Sequence, residues 1–351
     1  MTRQAHLVGS IPGANAAEAM KAALSRLAPY LLTLSDGETG PRAMWVGHCI
    51  DGLRANPSLE LAGGGKLDFS SYEDVPQYQL KDGATLAAGS VEASLPYLDA
   101  FTESYPVFQV LRSRYHRPDL PFQVGIPGPV DLSADSFGFQ AGFDPRYLQP
   151  CLEATASQIT KVAAAGGDDV LFQLETPAAL IAVTMAGAEG AAAAARQLAA
   201  ATAALPASVP AGTRFGVHLC LGDMNHTAMT GMPDITPAVL VANELAAAWP
   251  AGRTLEFVHM PFAAAQDPPS FDPEFYRPLA KLDLPATVRF VAGCIHESLD
   301  DSGQAELLAM IEDEAGREAD VAAACGLGRR PDPAQAWDAM DKARRLVTAA
   351  G

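Results

Sequence analysis

The chain has 351 residues, 49% hydrophobic and 19% charged, with a formal net charge of −17. This composition fits a globular protein with a sizeable core and excludes a disordered chain. The negative field disfavours nucleic acid and anionic membrane surfaces as partners.

Five widely spaced cysteines do not form a disulfide framework. The first residues, MTRQAHLVGSIPG, lack the apolar stretch of a signal peptide, and no run of 18 apolar residues occurs. The expectation is a reduced, cytoplasmic protein of enzyme size.

Short apolar runs ending in Gly, Pro or acidic residues alternate with Ala/Leu-rich helical stretches, the pattern of βα units around a parallel sheet. The first run is Ala5–Ser10, followed by a helix with Asn15 as N-cap and Glu18 at capping-box spacing. The second, Tyr30–Leu34, precedes a helix over Ala43–Arg54. Between Asn56 and Pro121 regularity fades. Thr85–Tyr105 is its good helical stretch, and the segment 56–121 reads as an insertion after the second βα unit, serving as a lid or an oligomer contact.

The third run is Phe122–Ile126 and the fourth Val170–Glu175. Helices over Tyr147–Ala165 and Ala188–Ala204 flank the fourth. The fifth lies in Arg214–Asn225, the sixth is Thr254–His259, the seventh Thr287–Ala292 and the eighth Asp320–Ala324, before a last helix over Pro333–Ala349. Eight such units favour a single (β/α)8 TIM barrel forming one domain over a doubly wound sheet. Ser10, Glu38, Glu175, His218, Cys220, Glu256, His259, His296 and Cys325 then stand at or near strand ends, where barrels carry chemistry.

His218 and Cys220 are two apart on one strand, so both side chains leave the same face. An imidazole and a thiol side by side make half of a tetrahedral site for zinc. Cys325, in a similar strand-then-turn setting, is the candidate to complete it.

Six motifs carry a resemblance: GSIP at Gly9–Pro12, GETGPR at Gly37–Arg42, GPV at Gly128–Val130, FQLETP at Phe172–Pro177, HLCLGDMN at His218–Asn225 and CGLGRR at Cys325–Arg330. In that order they resemble the catalytic barrel of cobalamin-independent methionine synthase, within the uroporphyrinogen decarboxylase-like superfamily. The resemblance implies that His218, Cys220 and Cys325 hold Zn2+, with Glu256 as fourth ligand and His259 as the alternative. It implies that Ser10 and Glu38 hold an amino-acid substrate. Glu175 occupies a position that is aspartate in the family. Arg42, Gln173, Asp223 and Asn225 lie in the matching motifs as further substrate-binding candidates.

The third-strand motif lacks the family's folate-stacking tryptophan, so a methyltetrahydrofolate donor is not implied. Single-barrel relatives share the zinc set and activate other thiols.

The expected function is zinc-dependent activation of a substrate thiol for methyl or alkyl transfer, with Glu38, Glu175 and His296 in catalytic roles. Its partners would be a small-molecule thiol acceptor and a methyl or alkyl donor, with a homo-oligomer left open. Two alternatives remain: a zinc lyase or hydrolase using metal-bound water, and a non-catalytic zinc or small-molecule-binding protein.

Overall fold

The computed structural model describes residues 2–65 and 71–349. Among them the strands are β1 (Leu34–Ser35), β2 (Leu59–Gly63), β3 (Gln77–Leu80), β4 (Phe122–Pro127), β5 (Val170–Thr176), β6 (Arg214–Leu219), β7 (Thr254–Pro261), β8 (Arg289–Ile295) and β9 (Asp320–Ala323). β1 and β4 to β9 form one parallel sheet in the order β1-β4-β5-β6-β7-β8-β9, while β2 and β3 pair antiparallel apart from it. β4 and β5 are buried at every position, as parallel strands covered on both faces must be.

The sheet is curled. The expected first strand, Ala5–Ser10, does not form a ladder; Ala5 alone bridges in parallel to both Leu31 and Val321. Its N–H donates to the Tyr30 carbonyl (2.8 Å) and the His6 N–H to the Val321 carbonyl (2.8 Å). One short segment thus meets both ends of the seven-strand sheet.

Helices follow the expected crossovers, with side-chain caps at several. Asn15 Oδ1 accepts from the Glu18 N–H (3.0 Å) at the start of Ala16–Leu27. Asp144 caps Pro145–Gly166, with Pro at the first helical position, where its missing N–H costs nothing. Within 56–121 the long helix is Tyr97–Arg114, displaced from the expected 85–105 and running through Pro106. Burial of Phe108 and Leu111 beyond the proline offsets the lost backbone bond. Phe101, Tyr105 and Phe108 all pack on Phe122 of β4, so this helix covers the sheet and the β2–β3 hairpin stands apart.

The two faces of the sheet bury different things. Phe122, Phe172, Phe215 and Phe290 belong to the large core shared with the helices. Leu171, Phe257, Val291 and Ala322 form a separate small apolar cluster on the opposite face. On that second face Gln123 lies level with Leu171 and Gln173 with Phe257, and the buried Glu175, His218 and His259 stand two residues further along. Strand alternation thus turns a row of polar side chains inward at the carboxyl ends of the strands.

Candidate functional site

Glu175, His218 and His259 share one register row: Glu175 pairs with His218 across β5 and β6, and His218 with His259 across β6 and β7. Residues in register on parallel neighbours point to the same side. Cys220 follows immediately after β6, and Cys325 lies just past the end of β9.

The predicted trio meets. A ligand atom from each of His218, Cys220 and Cys325 lies within 4.8 Å of the others. Cys220 Sγ and Cys325 Sγ are 3.6 Å apart, and Cys325 Sγ is 3.7 Å from His218 Nε2. A tetrahedral zinc with bonds of about 2.3 Å to sulfur and about 2.0 Å to nitrogen needs S···S near 3.8 Å and S···N near 3.5 Å. The donor set and its spacing fit that ion. The hydrogen bond with Cys220 and the nearby Arg329 guanidinium hold the Cys325 thiol below the usual range; the same bond, with burial, pushes Cys220 up.

The fourth ligand named by sequence is not at this site. Phe215 pairs with Leu255 but Gly216 pairs with Phe257, leaving Glu256 as the extra residue of a β-bulge. Its carboxylate accepts two bonds from Arg214 at the start of β6 (2.5 and 3.1 Å), near the opposite end of the strand from the cluster. The bulge restores Phe257 and His259 to the inner face.

His259, the alternative ligand, is fully buried and already engaged. Its Nε2 faces the Ala323 carbonyl at 3.0 Å and its Nδ1 faces His218 Nδ1 at 2.8 Å. A carbonyl only accepts, so His259 Nε2 carries the hydrogen and its Nδ1 the lone pair. His218 Nδ1 must then donate, which leaves the His218 Nε2 lone pair facing Cys325. Burial, with His259 alongside, keeps His218 neutral well below the ordinary histidine range, and burial lowers His259 to about 4.

Glu38 and Glu175 form a second buried feature. A Cβ on Gly125 would stand 2.6 Å from Oε1 of both carboxyls; only glycine leaves room for the pair. Burial, then the neighbouring Asp36, raises Glu38 to about 7, and burial with Glu38 nearby pushes Glu175 well above the carboxylate range. Glu38 sits on a left-handed backbone (φ 46°), a strained conformation of the kind found at functional sites.

Two expected substrate contacts are spent on structure instead. Gln173 donates to the Val8 carbonyl (2.6 Å) and to Glu175 (3.1 Å), while its oxygen meets His6 (2.8 Å); it positions Glu175. Arg42 is held by both oxygens of Asp36. The Ser10 carbonyl accepts from the Leu327 and Gly328 N–H groups and its Oγ accepts from Gly328 N–H, docking the turn that follows Cys325.

A cavity of about 230 Å³ opens beside the cluster, and Glu175, His218, Cys220, Asp223 and Cys325 all line it. Asn225 does not. His296, expected in a catalytic role, lies away from this cavity: its Nδ1 is bonded to Ser298 Oγ and its Nε2 accompanies the Ala265 carbonyl. It stands beside Glu297, which accepts from His226 (2.5 Å) and Arg330 (3.4 Å).

Sequence reasoning assigned Arg329 no role. The structure puts its Nη2 3.1 Å from Cys325 Sγ and 3.7 Å from Asp223, with Nη1 donating to the Ala43 carbonyl. Burial works against its charge, yet Cys325, Asp223 and Glu38 hold it protonated. The signal was its place four residues after Cys325 in CGLGRR.

Fold and site together define an α/β protein whose curled parallel sheet carries a His-Cys-Cys cluster at the carboxyl ends of its strands. The solved structures it resembles along its length include two B12-independent methionine synthases, one of them putative, and a methyltransferase. A B12-independent methionine synthase from Shewanella sp. W3-18-1, in complex with selenomethionine, aligns at 11% identity over 100% of this chain and 99% of its own, TM-score 0.57. A putative vitamin-B12 independent methionine synthase from Listeria monocytogenes aligns at 12% identity over 100% and 99%, TM-score 0.58. A methyltransferase from Methanosarcina mazei aligns at 15% identity over 98% and 93%, TM-score 0.53. At such identities the likeness is one of fold. No family model matches the chain, and no curated protein does. Among the described residues no helix is long and apolar enough to cross a membrane.

Proposed function

We propose that this chain is a zinc-dependent transferase of the methionine-synthase-like kind, which takes a small-molecule thiol beside His218, Cys220 and Cys325 and gives it a methyl or alkyl group. The carrying observation is the convergence of two sulfurs and an imidazole nitrogen at tetrahedral spacing on the wall of a cavity. Three protein donors leave a fourth position for an incoming group. Zinc held there would supply the Lewis acidity that deprotonates a thiol at neutral pH, where a free thiol with a pKa of about 8.5 stays mostly protonated.

The chain's own groups do the rest. His259 holds the His218 ring with Nε2 bare, and Arg329 places positive charge against the Cys325 sulfur. Glu38 and Glu175 would receive an ammonium group on the acceptor, whose charge draws the shared carboxyls into their ionised form. The same reading takes the segment around Ala5 as the eighth stave of a closed barrel forming one domain, with the hairpin region as an insertion. It places the protein in the cytoplasm, acting on small molecules without nucleic acid or membrane partners.

The test is metal content and coordination. About one zinc per chain is expected, lost in Cys220→Ser and Cys325→Ser. X-ray absorption should show the number of sulfur neighbours rising from two to three when a substrate thiol is added. A coordination sphere that no thiol changes, with turnover of a substrate lacking any thiol partner, would select metal-bound water chemistry instead.

A further inference from the structure

The composition of the cavity lining narrows the second substrate. Trp45, Tyr72 and Phe139 present aromatic surface there, alongside methionine thioethers at Met44, Met224 and Met229. Of the acids that line it, Glu175 stands beside Glu38 and Asp223 faces Arg329, which leaves Asp135 on the helix Pro129–Phe137. Among the described residues Asp135 has no ion pair and no hydrogen bond; burial alone raises its carboxyl to about 7. The base lining the cavity, Arg329, is already shared among Cys325, Asp223 and the Ala43 carbonyl.

A second observation points to a ligand. Trp45 Nε1 is shielded and has no hydrogen-bond partner. The residue holds a left-handed backbone (φ 52°), a conformation that costs free energy in a non-glycine residue and is characteristic of ligand clamps.

An anionic ligand would find no uncommitted cation in this lining, and a primary ammonium would need acceptors for three N–H groups. A cation sheathed in alkyl groups needs none. It gains from aromatic faces by cation–π attraction and from one unpaired carboxylate by charge. We propose that this cavity binds an onium methyl donor, a sulfonium or quaternary ammonium compound, held by the Asp135 carboxylate and the aromatic surface of Trp45. The proposal rests on the thiol-acceptor reading for its chemistry but not for its binding.

The step balances without an added acid. The acceptor sulfur, having lost its proton to solvent, donates an electron pair to form the new S–CH3 bond. The bond from that carbon to the onium centre breaks, and its pair returns to the leaving heteroatom. One negative and one positive charge become a neutral thioether product and a neutral thioether or tertiary amine.

Calorimetric titration of the full chain, metal-free and zinc-loaded, tests the binding with three matched probes: choline, (2-hydroxyethyl)dimethylsulfonium and the neutral 3,3-dimethylbutan-1-ol. Both onium probes should bind at least tenfold more tightly than the alcohol, with or without zinc. The tighter onium identifies the heteroatom. Asp135→Asn should remove at least tenfold of that preference without lowering the melting temperature. Trp45→Leu should weaken binding and Trp45→Phe should restore part of it. Equal binding of the alcohol, or an undiminished preference in Asp135→Asn, would overturn the proposal. Onium binding that persists while no methyl label reaches any thiol in the zinc-loaded protein would sink the transfer reading and leave the binding site standing.

Discussion

The Nδ1 atoms of His218 and His259 lie 2.8 Å apart, and the far nitrogen of His259 meets the Ala323 carbonyl at 3.0 Å. That carbonyl sits two residues before Cys325, so the last strand reaches the His218 ring by two routes. One is through Cys325 itself and the other is through the buried imidazole that orients the ring. Removing such an outer partner usually costs a metal site 10–100-fold in affinity. His259→Leu is expected to weaken zinc binding by roughly that factor while leaving the three ligands in place. Competition with a chromophoric chelator measures it, and unchanged affinity would show that the His218 ring is oriented by packing alone.

Much of this site was legible because strand parity is a strict rule. His218 and Cys220 on one face, and a distant cysteine after a later strand, follow from period-two alternation and from the convergence of parallel strands at one edge. Glu256 could not be placed the same way. A bulge at that residue changes parity from one position to the next, and nothing in TLEFVHMP announces it. Gln173 and Arg42 were read as substrate contacts because their motifs match. Their hydrogen-bond capacity is instead consumed by Val8, His6, Glu175 and Asp36; Val8 and His6 are so remote from Gln173 in sequence that only the fold reveals them. His296 was drawn to the site by its strand-end position, yet its ring faces Ser298 and Ala265.

The Glu38–Glu175 pair makes stability fall as pH rises. Glu38 is raised from its ordinary 4.5 to about 7, so between these values the folded chain keeps a proton that the unfolded chain has released. Unfolding then releases protons, and native stability declines across that window. Glu38→Gln removes the penalty. Its unfolding free energy relative to the parent should be nearly level at pH 5 and climb towards pH 8, reaching an advantage on the order of 2–3 kcal/mol in denaturant titrations. A pH-independent difference would mean the pair is not protonated in the fold.

The loop after Cys220 is held by a contact of the opposite sign. Asn225 and His226 both adopt left-handed backbone (φ 51° and 62°), as does Ala265 across the Thr227 bridge. His226 anchors this strained arrangement to Glu297 at 2.5 Å. Burial opposes the Glu297 charge, yet the His226 bond and the nearby Arg330 hold it down to about 2. The stabilisation is therefore present above about pH 4.5 and lost as pH falls towards 2. Glu297→Gln should cost about 2 kcal/mol at neutral pH, less than a fully buried pair because the carboxylate is partly exposed. Hydrogen exchange should quicken over residues 224–229, and unchanged protection there would separate the loop from this contact.

Arg329 lets the cysteine pair be probed without any metal. Its Nη2 is 3.1 Å from Cys325 Sγ, and the Cys220 hydrogen bond together with this guanidinium holds Cys325 below the ordinary thiol range. Deleting the cation should raise the pH midpoint of Cys325 thiolate formation by roughly 1 to 2 pH units, the scale of a close charge in a partly shielded site. The midpoint is read in zinc-free protein from thiolate absorbance and from the pH dependence of alkylation, comparing Arg329→Leu with the parent. Arg329→Lys keeps the charge but not the fork that also reaches Ala43, so it should restore only part of the effect. If Arg329→Leu leaves the midpoint where it was, the Cys220 hydrogen bond alone sets Cys325, and Arg329 serves the Asp223 side of the cavity instead.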